Sequence, residues 1–262
     1  MSELRALIFD CDGVLAETER DGHRVTFNAA FEAAGLPTRW DDATYGQLVL
    51  ISGGKERMRH YFTEHPEELP EGTDLDALVV ELHKDKTRRF GELSASGGLP
   101  VREGIHRLID QAHEGGVKLC ICTTSNEKSV RALMNAILGE DRTSWFDEVL
   151  AGDIVPKKKP APDIYLLAQE RLQVSPETCF VVEDSHNGLV AAQQAGLSCL
   201  ITVSHYSAEE DFTGADLTVS SLGDPDKPAI DFLQYNPAVP ASAQFINLKH
   251  LEAILAAKYP EK

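Results

Sequence analysis

The stretch Leu4-Arg5-Ala6-Leu7-Ile8-Phe9-Asp10-Cys11-Asp12-Gly13-Val14-Leu15 carries an apolar run straight into two aspartates one residue apart, and then a glycine. A short buried strand followed by Gly is the plan of open α/β sheets, whose ligands sit in the crevice beyond the carboxyl ends of the strands. Two carboxylates at such a point need compensation. At about 4 Å and an effective dielectric near 20, a pair of like unit charges costs about 4 kcal/mol. A shared cation or proton is therefore expected, and a hard, oxygen-seeking ion such as Mg²⁺ fits best. An EF-hand loop also begins Asp-x-Asp, but here its fifth, sixth and twelfth positions would be Val14, Leu15 and Asp21, so that reading fails.

Five further apolar, β-branched runs read as strands, at 117–122, 148–151, 179–182, 199–203 and 215–219. Helical spacing of apolar residues marks 103–115, 127–138, 161–172 and 186–195. Strands alternating with helices predict an α/β fold with a parallel, doubly wound sheet. Residues 17–95 break the alternation: they are charged and helically patterned, and they follow the first strand, so a helical cap over its end is expected. The core is then 1–16 with 96–262. The segment 222–244, rich in Pro and Asp, reads as irregular. Residues 246–258 read as a last amphipathic helix, with Leu248, Leu251, Ile254 and Leu255 on the side that docks on the core.

The chain has 262 residues, enough for such a core with an insert, and a formal charge of −17. That charge argues against a nucleic-acid or anionic-membrane surface and requires a local basic pocket for any phosphorylated ligand. The five cysteines, Cys11, Cys120, Cys122, Cys179 and Cys199, mostly sit in or beside apolar runs and read as reduced core residues, without redox-pair or zinc spacing. The first strand lies at the start of the chain, and no apolar run approaches the roughly 18 residues of a membrane span. The cytosol is the expected compartment, or the stroma or matrix of an organelle after processing.

Three other strand ends carry chemistry. Cys122-Thr123-Thr124-Ser125-Asn126 places hydroxyls at a helix start, where free N–H groups and the helix dipole favour an anion. In Pro156-Lys157-Lys158-Lys159-Pro160-Ala161-Pro162-Asp163 the prolines restrict the backbone after Lys159 and so aim its ammonium. Val181-Val182-Glu183-Asp184-Ser185 brings a second acidic pair, with Gly188 in the helix that follows. A coherent chemistry joins the four. Mg²⁺ held by Asp10 and Asp184, with Glu183 close by, would screen the charge of a phosphate so that the Asp10 carboxylate could attack phosphorus and form an aspartyl-phosphate. Asp12 would protonate the leaving oxygen and later take a proton from the hydrolytic water. Thr123 and Lys159 would hold the phosphoryl oxygens.

The whole set, in this order from Leu4 to about Val219, resembles the haloacid dehalogenase superfamily: Asp-x-Asp-Gly-Val, the Thr after the second strand, Lys-Pro-x-Pro-Asp, and Glu-Asp-Ser with its Gly. The resemblance implies a Rossmann-like core with a helical cap, Asp10 as nucleophile, Asp12 as acid/base, and a Mg²⁺ site completed by Asp184 and the backbone carbonyl of Asp12. A closer resemblance, to CbbY-type sugar-phosphate phosphatases, rests on Asp-Cys-Asp-Gly-Val-Leu with Glu17, Asp21-Gly22-His23-Arg24, Gly-Gly-Lys-Glu-Arg-Met (53–58), Thr-Ser-Asn-Glu-Lys (124–128) and Val-Pro-Lys-Lys-Lys-Pro (155–160). It implies hydrolysis of xylulose 1,5-bisphosphate, a Rubisco inhibitor, to xylulose 5-phosphate.

The cap loop Ser52-Gly53-Gly54-Lys55-Glu56-Arg57 sets two cations beside a Gly pair without forming a nucleotide P-loop. Lys55 and Arg57 are the expected anchors of the phosphate that is not cleaved, with Gly53 and Gly54 allowing close approach. Glu17 and His23 stand at the cap entrance, and Thr124, Ser125 and Asn126 complete the expected binding set. The expected partner is a small phosphorylated sugar, bound by a monomer. The rival resemblance is to β-phosphoglucomutase, in which a His of the first cap helix and an Arg of the cap loop help return phosphate to the sugar. Gly22 occupies the aligned His position and Lys55 falls near the Arg, a departure that favours a phosphatase. A phosphatase for another small phosphosugar, or a silent binding protein on the same scaffold, are the other readings. Retention of Asp10, Asp12, Lys159 and Asp184 speaks against the last.

Overall fold

The computed structural model describes residues 4–260. The apolar run after Arg5 forms β1 (Ala6–Phe9), buried on both faces near the middle of a seven-stranded sheet. Its companions are β2 (Lys118–Thr123), β3 (Phe146–Ala151), β4 (Cys179–Glu183), β5 (Ser198–Thr202), β6 (Leu217–Val219) and β7 (Phe232–Gln234), in the order β3-β2-β1-β4-β5-β6-β7. The pairings are parallel except β6 with β7. The helices are α1 (Arg24–Ala33), α2 (Asp42–Leu48), α3 (Gly54–Glu64), α4 (Leu75–Ala95), α5 (Ile105–Glu114), α6 (Glu127–Ser144), α7 (Asp163–Leu172), α8 (His186–Gln194) and α9 (Leu248–Lys258).

Side chains alternate across a strand, so each strand feeds two cores. Leu7, Phe9, Ile121 and Val182 pack with α5, α6 and α9, whereas Ala6, Ile8, Cys120, Cys122, Val181 and Cys199 pack with α7 and α8. All five cysteines are buried and free. Leu251, Ile254 and Leu255 of α9 join the first core as the pattern predicts. The segment between β1 and β2 holds α1 to α4 around its own aromatic core of Phe27, Phe31, Trp40, Tyr45, Tyr61 and Phe62. Among the described residues no helix is long and apolar enough to cross a membrane.

One expectation needs correction. The stretch 222–244 is not wholly irregular: β7 pairs antiparallel with β6 at the sheet edge, a three-residue element too short for a readable period. The helix expected at 127–138 is present: Gly139, with φ 82° and ψ 163°, breaks the helical path after it, and a second short helical stretch runs on to Ser144.

Candidate active site

The register of the sheet brings the sequence motifs to one level. Phe9 lies beside Ile121 on one side and Val182 on the other, so Asp10, Thr123, Glu183 and Asp184 all emerge at the carboxyl edge. The loop after β3 returns Lys159 to the same point. Its Nζ donates to Asp10 Oδ1 (2.6 Å), to the Cys122 carbonyl (2.9 Å) and to Glu183 Oε1 (2.5 Å). Burial opposes the charge of Lys159, but Asp10 and Glu183 outweigh it and hold the ammonium well above the ordinary lysine range. Thr123 is buried at the end of β2 and accepts the Ser125 N–H (3.1 Å).

Glu183 is fully buried and spends both oxygens on protein donors. Oε1 accepts from Lys159 and Tyr165 (2.6 Å), while Oε2 accepts from Asp184 N (3.1 Å) and Ser185 Oγ (3.3 Å). It packs directly on the Cα of Gly188, where an added Cβ would lie 1.9 Å from its carboxyl carbon.

Asp12 stands apart from that cluster. Its Oδ1 accepts from Thr18 and lies 2.9 Å from His23 Nε2, and its Oδ2 accepts from Ser125 Oγ. Lys86 Nζ sits 2.6 Å from His23 Nδ1. An ammonium only donates, so Nδ1 accepts and the ring donates from Nε2 to Asp12. Burial pushes Asp12 up, but His23 and the three hydrogen bonds prevail and hold it well below the usual carboxylate range. Lys86, buried against Phe27 and Phe90, is pushed down to about 8.

The placement of His23 corrects the sequence alignment. The chain enters the cap through a π-turn, Glu19–His23, which takes up one extra residue before α1. His23 thus reaches Asp12, and Gly22 packs at Phe90 instead. The supposed loss of the cap histidine therefore gives no argument for a phosphatase over a mutase.

Arg57 roofs the cavity. Buried, it donates to Tyr45 OH and to the carbonyls of Val49 and Ile51 (both 3.3 Å), and lies 3.5 Å from Glu19 Oε2, while its Nε has no protein partner. Gly53, Gly54, Thr124, Ser125 and Asn126 line the same cavity, Asn126 also capping α6 through Lys128 N. Two expected ligands are not brought there. Lys55 points to Asp153 (2.7 Å), which also pairs with Lys158 (3.1 Å), and Lys158 reaches back to Glu56 of the cap (3.0 Å). Glu17 pairs with Arg102 (3.4 Å) and accepts from the His205 N–H (3.4 Å). Lys55 and Lys158 thus clasp the cap to the core, as do Asn187 with Leu50 O (2.8 Å) and Tyr206 with Asp42 (2.7 Å).

Sequence reading missed Thr18, Glu19, Tyr45 and Lys86. For Lys86 a signal existed: Leu82, Lys86 and Phe90 fall four apart on one face of α4, so a lysine interrupts an apolar stripe.

Asp10, Glu183 and Asp184 each offer an oxygen within 4.8 Å of the others. Burial pushes the Asp10 carboxyl up, and burial with the Glu183 charge pushes Asp184 well up. Asp184 Oδ2 packs on the bare Cα of Gly13, where a Cβ would lie 1.9 Å away. An all-oxygen, buried, mutually repelling set fits a hard divalent cation. Because Glu183 is saturated by donors, Asp10 and Asp184 are the carboxylates with capacity to hold it.

A parallel sheet whose strand ends gather these carboxylates and a buried lysine under a helical insert defines a class, and the sequence agrees: the chain belongs to the haloacid dehalogenase-like hydrolases, matched over residues 4–196. Within that class it is similar to the CbbY phosphatases. It is 48% identical over 229 residues to a CBBY-like protein of Arabidopsis thaliana, covering 86% of this chain and 72% of that one. It is 42% identical over 225 residues to the plasmid-encoded CbbY of Cupriavidus necator, covering 86% and 88%. A crystal structure of a CbbY mutant from Rhodobacter sphaeroides in complex with xylulose-(1,5)bisphosphate superimposes with a TM-score of 0.77 at 41% identity, over 83% of this chain and 94% of that one.

Proposed function

We propose that this phosphatase is Mg²⁺-dependent and hydrolyses xylulose 1,5-bisphosphate to xylulose 5-phosphate, with residues 17–95 acting as its cap. The observation that carries the reading is one cavity lined both by the Asp10–Lys159 pair at the sheet edge and by buried Arg57 from the helical segment. Such a cavity suits a small sugar with two phosphates, and the bisphosphate bound by the similar Rhodobacter protein supports it.

Lys159 occupies Asp10 Oδ1, which leaves Oδ2 to attack phosphorus. The bond from phosphorus to the sugar oxygen breaks as the aspartyl-phosphate forms, and Asp12 delivers a proton to that oxygen. Asp12 is a carboxylate in the free site, and the negative charge of the incoming phosphoryl group raises its proton affinity before this step. Water then attacks the phosphoryl group, gives its proton to Asp12, and releases the Asp10 carboxylate. Lys159 and the hydroxyl and N–H groups at Thr123 and Thr124 hold the phosphoryl oxygens while charge redistributes. Asp10, Asp184 and the Asp12 carbonyl would hold Mg²⁺, which when bound would supply the screening that lets an anionic nucleophile approach an anionic phosphate.

The test is phosphate release, with Mg²⁺ and with EDTA, from xylulose 1,5-bisphosphate, ribulose 1,5-bisphosphate, fructose 1,6-bisphosphate, β-glucose 1-phosphate and phosphoglycolate. A large Mg²⁺-dependent preference for the first is expected, and equal release from all would reject the substrate. The contact of His23 with Asp12 favours one second reading, a phosphosugar mutase. Glucose 6-phosphate formed from β-glucose 1-phosphate without free phosphate would establish it.

A further inference from the structure

Arg102 lies outside the cavity, and nothing in the chemistry above uses it. It belongs to the second segment linking cap and sheet: its N–H donates to Leu15 O (2.9 Å), and its neighbour Val101 bridges Ala16 of the first. Its side chain is 9% exposed. The guanidinium donates to Gly13 O, to Thr202 O (3.0 Å), to Val203 O (2.7 Å) and to Ser220 O (3.3 Å), and its Nε lies 3.4 Å from Glu17. These carbonyls belong to the loop leaving β1, to the last residue of β5 and the one after it, and to the residue after β6.

Two of those strand ends form the wall behind Asp184. Gly13 supplies the bare Cα on which Asp184 Oδ2 rests, and its φ of 77° requires glycine. Val203 leads into Ser204, whose side chain favours the ionised Asp184 carboxylate and whose Cβ would lie 3.2 Å from a Cβ at Gly13. A planar fork with five N–H donors serves several acceptors in a fixed geometry, as a lysine does not.

We propose that Arg102 is a positioning residue for the metal site: by holding the carbonyls of three strand ends at once, it sets the Gly13–Ser204 wall that orients Asp184, and it does so from the cap hinge. The inference rests on the Mg²⁺ reading above. A merely structural arginine would lower the melting temperature and leave metal affinity alone.

The test is calorimetric titration of Mg²⁺ into the substrate-free wild-type protein, Arg102→Met and Arg102→Lys, with circular dichroism to confirm folding. Folded Arg102→Met is expected to bind Mg²⁺ about tenfold or more weakly, the usual effect of losing an outer partner of a metal ligand, with partial recovery in millimolar guanidinium. Arg102→Lys is expected to fall between it and the wild type. Unchanged affinity in folded Arg102→Met overturns the proposal, and if that variant does not fold, unchanged affinity in Arg102→Lys does so. If the wild type binds no Mg²⁺, the metal reading itself fails and takes this inference with it.

Discussion

Replacing Gly188 by alanine sets two elementary expectations against each other. Gly188 is a residue of the first turn of α8, where exchanging glycine for alanine ordinarily stabilises a helix by up to about 1 kcal/mol. Here the new Cβ would lie 1.9 Å from the carboxyl carbon of Glu183 and 2.0 and 2.2 Å from its oxygens, far inside contact distance. Glu183 has no free space: it is fully buried and bonded by Lys159, Tyr165, Asp184 N and Ser185. Making room means overpacking, about 1–3 kcal/mol, and losing at least one buried hydrogen bond to a charge, about 1.5–3 kcal/mol. Set against the helix gain, the net destabilisation is about 2–5 kcal/mol, which at roughly 2–4 °C per kcal/mol lowers Tm by about 4–20 °C. Because Glu183 also aims Lys159, a shift near 1 Å is expected to lower kcat by about 10²-fold. Thermal unfolding followed by circular dichroism and steady-state phosphate release measure both. A Gly188→Ala protein as stable as the wild type, with unchanged kcat, would refute the assignment of Glu183 as the fixed support of Lys159.

Arg57→Ala, which removes the buried cation proposed to hold the second phosphate, is expected to raise KM for a bisphosphate roughly 30- to 100-fold, against a severalfold change at most for Lys55→Ala, whose ion pair is partly exposed; steady-state kinetics of the two variants decide this. The kcat/KM profile is expected to fall above about pH 8 as Lys86 loses its proton, and Arg at that position to carry activity further into the alkaline range. Stability runs the other way for this group: its folded pKa is depressed, so between about pH 8 and the ordinary lysine range the unfolded chain binds more protons, and the cost of burying the Lys86 charge is progressively relieved as pH rises through that window. EDTA is expected to abolish turnover and Mg²⁺ to restore it. Saturating Mg²⁺ at about 100 times its Kd is expected to add about 2.7 kcal/mol of stability, read as a rise in Tm, and no rise would argue against an Asp10–Asp184 metal site.

Much of the site is legible along the chain because it is built from strand ends. A buried parallel strand is a short apolar run, and the polar residue that stops it stands at the carboxyl edge of the sheet. Asp10, Thr123, Glu183 and Asp184 announce themselves this way, and the prolines after Lys159 mark the loop that returns it. The cap obeys no such rule. Lys55 and Arg57 look equivalent as letters, yet residues two apart on a helix do not share a face, so one meets Asp153 and the other the cavity. β7 was unreadable because three residues between polar turns carry no period, and only the open edge of β6 makes them a strand.

Local sequence thus determined the alternation of strands and helices, the two-sided burial of β1, and the identity of the groups at its end, since each depends on periodicity and on residues within a few positions of one another. The fold alone decided which carboxylates share a donor, that a π-turn carries His23 to Asp12, that Lys86 lies behind it, and that Arg102 ties three strand ends together. Those contacts join residues up to 149 positions apart, and the backbone path that brings them within 3 Å or so is set by the long-range packing of the chain.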